Sequence, residues 1–237
     1  MNAVHKVVVA LVRHGAYQQP AGVPSAHLPY ALTAEGRAQA QAAAVDIANW
    51  AAGQRLDICS VIDSSNLRRA WQTASLLVDA LNTKEPESYR VEGFDELAER
   101  SLGCAANLTV MQIEQILASD PRFPVPPTGW KSDRHYCLPL QGAESLTQAG
   151  VRVAGHIRYR TPAPENTSAV GCLKVFVGHG AAFRHAVAEL GILEPTQVDE
   201  LSMFHCHPVF VEYRGHDQWV HVAGNWKIRA ATDTPVD

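Results

Sequence analysis

Residues 6–12, KVVVALV, and 173–178, LKVFVG, constrain the fold more than any other stretch of the chain. Both are short, β-branched, apolar runs without polar alternation. That is the pattern of a strand buried on both faces, which belongs to a parallel sheet covered by helices. Each run leads directly into a His-Gly pair, Arg13-His14-Gly15 in the first case and His179-Gly180 in the second. Cationic side chains at the end of a buried strand cost desolvation energy unless something negative meets them.

The rest of the chain supplies the covering layers. DICSVIDS (57–64) reads as a further buried strand and YRVEGF (89–94) as a short one. A helix starts near Thr33, a natural N-cap before a run rich in alanine and glutamine. A second helix over 66–81 places Leu67, Ala70, Ala74, Leu77 and Leu81 three and four apart. Residues 144–160 and 181–192 read as helices and 161–171 as a surface loop. VFVEYR and WVHVAGNW (219–226) form a hairpin around GHDQ. Strands alternating with helices predict one domain over 1–237, a three-layer α/β/α sandwich with a mainly parallel central sheet. From 100 to 143 the pattern loosens. A helix in TVMQIEQILAS precedes the proline-rich DPRFPVPPTGW, so this stretch is expected to be an insertion or lid over a site.

In such sheets ligands sit beyond the carboxyl ends of the strands. His14 and His179 are therefore expected at one sheet edge, with Gly15 and Gly180 permitting tight turns and close approach of a ligand. Arg68 and Arg69 fall in the first turn of the helix after the 57–64 strand, where the helix N-terminus and an arginine together favour an anion. Two histidines with Arg13 and Arg69 make a phosphate pocket by composition. A lone histidine or arginine is more often a structural or solvated group; the coincidence at three strand ends carries the inference.

The successive stretches LVRHG (11–15), LTAEGRAQA (32–40), SSNLRRAWQTA (64–74), ER-S-LG (99–103), GAESL (142–146) and VFVGHG (175–180) resemble, in order, the motifs of the histidine phosphatase superfamily, in its phosphoglycerate-mutase-like branch. The resemblance implies a phosphoglycerate-mutase-like fold. It implies that His14 is the nucleophile that becomes phosphohistidine, and that Arg13, Arg69, His179 and Gly180 hold phosphate. It puts the family arginine on Arg69, with Arg68 its variable neighbour, and the acid/base glutamate on Glu99, with Asp95 and Glu96 as nearby alternatives. The implied chemistry needs a neutral nucleophilic imidazole, arginine forks and a cationic second histidine against the phosphoryl charge, and a carboxylic acid for the leaving alkoxide. It needs no metal or other cofactor.

The chain departs from the mutases at RHGAYQQP and HGAA, and the insertion offers only Lys131 and Arg134 as cations for a retained substrate. Hydrolysis of phosphomonoesters or phosphohistidine is expected; mutase-type transfer and a catalytically weak phospho-ligand module are the alternatives. Tyr17, Gln18 and the segment QPAGVPSAHLPY are expected at the pocket mouth. Trp130, His135 and Tyr136 are expected to face the alcohol or phosphoprotein part of the substrate.

A metal hydrolase would have to use HCH (205–207), which a strand would place with His205 and His207 on one face. No third ligand follows at a recognisable spacing, and ordinary core or surface histidines are the expected reading. The net charge of −4 argues against nucleic acid, and no segment approaches a membrane span. Hydrophobic residues at 46% and charged residues at 19% indicate an ordinary globular chain rather than a disordered one. The N-terminus has no signal-peptide pattern, and the five scattered cysteines point to a reducing, cytoplasmic setting. The expected partner is a small phosphorylated molecule or a phosphoprotein, and a homo-oligomer is compatible with this reading.

Overall fold

The computed structural model describes residues 5–83, 88–164, 167 and 170–229, so part of the loop expected at 161–171 lies outside the described residues. A seven-stranded mixed sheet forms the centre. Its strands are β1 (Val7–Arg13), β2 (Asp57–Ile58), β3 (Val61–Ser65), β4 (Arg90–Phe94), β5 (Cys172–Gly178), β7 (Val209–Tyr213) and β8 (Trp219–Ala223). The order is β4-β3-β5-β1-β7-β8, with β2 also on β5. Strands β1 to β5 pair in parallel, and β7 and β8 add an antiparallel hairpin at one side. The sheet is thus mainly parallel, as expected. The single strand expected over 57–64 is instead two short ones, interrupted at Cys59 and Ser60.

The helical layers are α1 (Ala34–Gln54), α2 (Arg68–Asn82), α4 (Leu146–Arg160) and α5 (Gly180–Glu189). Period two along β1 divides the core. Val8, Ala10 and Val12 pack with Ala40, Ile47, Ala70 and Leu77 of α1 and α2. Val9 and Leu11 pack with Val153, Ile157, Phe183 and Val187 of α4 and α5. Every β1 residue from Val7 to Val12 is 0% exposed. Burial of each larger aliphatic side chain contributes about 1.5–3 kcal/mol. Thr33 caps α1 as expected, its hydroxyl accepting from Gly36 N at 3.1 Å. Helix α6 (Pro195–Glu200) and a small sheet of β6 (Leu201–Ser202) and β9 (Lys227–Ile228) lack a sequence period long enough to predict.

Residues between the bridge partners Leu102 and Ala143 form an excursion containing α3 (Val110–Ser119). It has a core of its own, with Leu102, Ile113, Leu117, Trp130 and Leu138 packed around Ala26. The expectation that Trp130 faces a substrate is therefore corrected. Its ring is 2% exposed and its Nε1 donates to Glu114 at 3.0 Å. Tyr136 packs toward Trp130, and His135 is exposed.

The lysine within buried β5 has a partner. Lys174 Nζ donates to Asp63 on β3, which also receives His156 at 3.1 Å and Arg160 at 2.8 Å. Burial alone would raise the Asp63 pKa, but these donors outweigh it and hold the carboxyl down at about 2.

Candidate active site

The two His-Gly segments meet because β1 and β5 are central neighbours in parallel register, with Arg13 opposite Gly178. His14 N donates to Gly178 O at 2.9 Å, continuing the ladder by one bond. The His14 and His179 ring centroids then stand 5.1 Å apart. Gly15 is required here because a Cβ would collide with the backbone of Gly36 in the first turn of α1. Gly180 lets Arg13 lie against the chain, since its Cβ would come within 3.2 Å of Arg13 Cδ and Nε.

Helix α2 brings the arginine. Arg69 is 0% exposed and occupies the centre of the cluster, whereas Arg68 faces solvent. The next residues of that motif secure the neighbouring turns. Gln72 Oε1 accepts from Leu32 N at 2.9 Å, and Thr73 Oγ1 accepts from Gly15 N at 3.1 Å. Arg69 Nε donates to His14 Nε2 at 3.1 Å, and Nη2 lies 3.2 Å from His179 Nδ1. Nη1 donates to Leu28 O at 3.0 Å, and Nη2 to Ser25 O and Ala26 O at 2.9 and 2.8 Å. Arg13 Nη1 donates to Met203 O at 2.8 Å.

These bonds define the tautomers. His14 Nδ1 is 2.8 Å from Gly15 O, so it carries the proton and leaves the Nε2 lone pair toward Arg69. His179 accepts from Arg69 at Nδ1, so its Nε2 donates to Ser65 Oγ at 2.9 Å. Burial first, then Arg69, pushes both imidazoles well below the usual histidine range. His14 is thus neutral and nucleophilic. The expected cationic second histidine is not met, because burial beside Arg69 leaves His179 neutral as well.

Glu99 is 4% exposed. Its Oε1 accepts from Arg100 N at 2.8 Å and Ala182 N at 3.0 Å, and Oε2 from Ala181 N at 3.4 Å. It therefore sits on the N-terminus of α5, directly beside His179. The alternatives, Asp95 and Glu96, are exposed, and Asp95 Oδ1 accepts from Asn66.

Tyr17 is buried rather than at a mouth. Its ring meets His14 edge-on at 5.2 Å and lies under Arg69 at 4.7 Å, and its hydroxyl is 2.7 Å from Ser25 Oγ. Gln18 is exposed, and its backbone N–H bonds Ala31 O. Of the two expected insertion cations, Arg134 pairs with Asp199. Lys131 lines a small cavity with Glu99, Arg100, Ser25 and Ala26.

Two contributions were missed. Ser65, at the end of β3, orients His179. His205 brings its ring to 5.5 Å from His14. The strand assumed for HCH is instead a turn, with Cys206 at φ 55 and its N–H on Arg13 O at 2.9 Å. The two rings diverge, His207 packing toward Phe204 at 5.5 Å. The usable signal was position. A turn that enters β7, the other neighbour of β1, lies at the same sheet edge as His14.

The fold and this edge define an α/β protein that gathers imidazoles and arginines where an anion binds at the strand ends. The chain belongs to the histidine phosphatase superfamily, branch 1, whose family model matches residues 9–226. A comparison with curated proteins gives no match. Similar solved structures include a mycobacterial glucosyl-3-phosphoglycerate phosphatase, 21% identical, with a TM-score of 0.66 over 94% of this chain and 98% of that one. A putative alpha-ribazole-5'-P phosphatase from Escherichia coli is 20% identical, with a TM-score of 0.66 over 92% and 96%. These likenesses carry the fold. No helix among the described residues is long and apolar enough to cross a membrane.

Proposed function

We propose that the protein is a phosphomonoesterase that works through a phosphohistidine on His14. The observation that carries this is the His14 imidazole itself. It is buried, neutral and fixed by Gly15 O, with its Nε2 lone pair directed into a cluster of Arg69, His179 and Arg13.

In the first step Nε2 attacks phosphorus, the P–O bond to the alcohol breaks, and an N–P bond forms. Arg69 and Arg13 take the charge on the equatorial oxygens as charge-assisted donors. Glu99, in its protonated form, gives its proton to the leaving alkoxide. In the second step the Glu99 carboxylate takes a proton from water. The oxygen of that water attacks phosphorus, the N–P bond breaks, and His14 is restored with release of phosphate. None of these transfers needs a metal. The phosphatase names of the structural relatives favour hydrolysis over mutase transfer, and a small phosphorylated metabolite over a phosphoprotein. The five cysteines are free thiols, in keeping with a cytoplasmic setting.

The test is a panel of phosphomonoesters and a phosphohistidine protein, assayed in chelator. Turnover together with acid-labile phosphate on His14, both lost in folded His14→Ala, is expected. A folded wild-type protein that turns over none of the panel would overturn the proposal.

A further inference from the structure

The Arg69 guanidinium is wholly buried, and backbone carbonyls and imidazole nitrogens accept from it. Three of these acceptors are backbone carbonyls of one segment, Ser25, Ala26 and Leu28, at 2.8–3.0 Å. Two more are the ring nitrogens of His14 and His179. An arginine has five N–H donors, and a phosphoryl group needs two of them in a fork. With His14 at 1% and His179 and Arg69 at 0% exposure, an anion reaches the cluster only if something withdraws.

We infer that residues 23–28 are a plug whose carbonyls hold the place of the substrate phosphate on Arg69, and that phosphate entry displaces them. The inference rests on the phosphatase reading. The segment is built to move as a unit. Residues 18–31 contain no helix or strand and carry prolines at 20, 24 and 29. Its two ends are pinned together by the Tyr17–Leu32 bridge and the Gln18 N–Ala31 O bond, which form a fixed base. Its inner side is held by Ser25 Oγ on the Tyr17 hydroxyl. Its outer side belongs to the 102–143 excursion. Ala26 packs among Leu102, Ile113 and Trp130, and Val110 N donates to Gly22 O at 3.3 Å. Ala26 thus ties the plug to the core of the excursion, while Val23 and Leu28 pack with Tyr17, Leu32 and Leu76 in a small cluster of their own, apart from the two that hold the sheet. A phosphate dianion compensates a buried guanidinium better than carbonyl dipoles do, so the exchange is favourable once the plug yields.

The experiment uses the full chain and vanadate as the tetrahedral anion. The observed binding rate, followed by tryptophan fluorescence, should saturate with vanadate concentration, reporting plug opening. Amide exchange at Val23 and Val110, bonded to Pro20 O and Gly22 O, should quicken when vanadate is bound. Ser25→Ala releases the tie to Tyr17 and should raise the saturating rate roughly two- to tenfold, the worth of one neutral hydrogen bond. A rate linear in vanadate to the instrument limit, with exchange at Val23 and Val110 unchanged, overturns the plug while leaving the phosphatase reading intact. Absence of both vanadate binding and turnover in folded protein overturns both.

Discussion

The Nε–H of Arg69 points at the Nε2 lone pair of His14, 3.1 Å away. In the proposed mechanism the group that stabilises the phosphoryl oxygens thus also aims the nucleophile, and it must release that lone pair as phosphorus arrives. Truncation of Arg69 removes both effects. Arg69→Ala should lower kcat/KM by about 2–4 kcal/mol in transition-state terms, in line with loss of a preorganised donor. Arg69→Lys should recover little, because an ammonium cannot reproduce the planar fork. Arg68→Ala, at an exposed position, should stay near wild type. Steady-state kinetics on the three variants checks the register, and a larger defect at Arg68 would falsify it.

The acid role proposed for Glu99 can be tested through the leaving group. As the acid it matters most for alkyl alkoxides, whereas p-nitrophenolate departs unaided. Glu99→Gln should therefore slow phosphorylation by alkyl phosphates severely and by p-nitrophenyl phosphate much less, measured as the pre-steady-state burst. Equal slowing of both substrates would move the acid role to Asp95 or Glu96, which solvent exposure already disfavours.

The sequence was most legible where one backbone period determines the outcome. Apolar runs at 6–12 and 173–178 fix two central parallel strands, and parallel pairing alone brings His14 beside His179. The first turn of α2 offered Arg68 and Arg69 alike, and the family resemblance placed the role on Arg69. The segment 19–30 was legible as irregular, but not as a cover, because its interaction with Arg69 uses backbone carbonyls that every residue has. His205 was misassigned for a related reason. The positive φ of Cys206 breaks the strand period, and no glycine marks it. The partnership of Lys174 with Asp63 spans 111 residues and leaves no local trace.

That partnership predicts a structural defect without a chemical one. Asp63→Asn strands the Lys174 ammonium, 4% exposed, without its counter-charge, which costs about 3–5 kcal/mol. Thermal unfolding should fall accordingly, while kcat per folded molecule stays near wild type, because the cluster lies away from His14. A wild-type melting temperature in Asp63→Asn would show that the pair contributes nothing.

Acid should act earlier, through histidines that fold in their neutral form. His14 and His179 lie well below the usual range through burial and Arg69, and His185 is brought to about 3 by burial, then by Arg184, Arg134, Arg100 and His135. In the unfolded chain each titrates near 6.5. Below that pH the unfolded state binds protons that the folded state refuses, so stability is complete above pH 6.5 and falls as the pH drops. Each group removes up to about 1.4 kcal/mol per pH unit, until its own folded pKa is passed. Denaturant titrations at pH 7.5, 6.5 and 5.5 should show the fall beginning in this window, well above the carboxylate range. A phosphate anion beside His14 and His179 favours their protonated forms, so phosphate should protect the fold more at pH 5.5 than at 7.5. His185→Gln should reduce the slope without altering that protection. Stability that is flat from pH 7.5 to 5.5 would mean that these histidines protonate in place and are not held neutral by the fold.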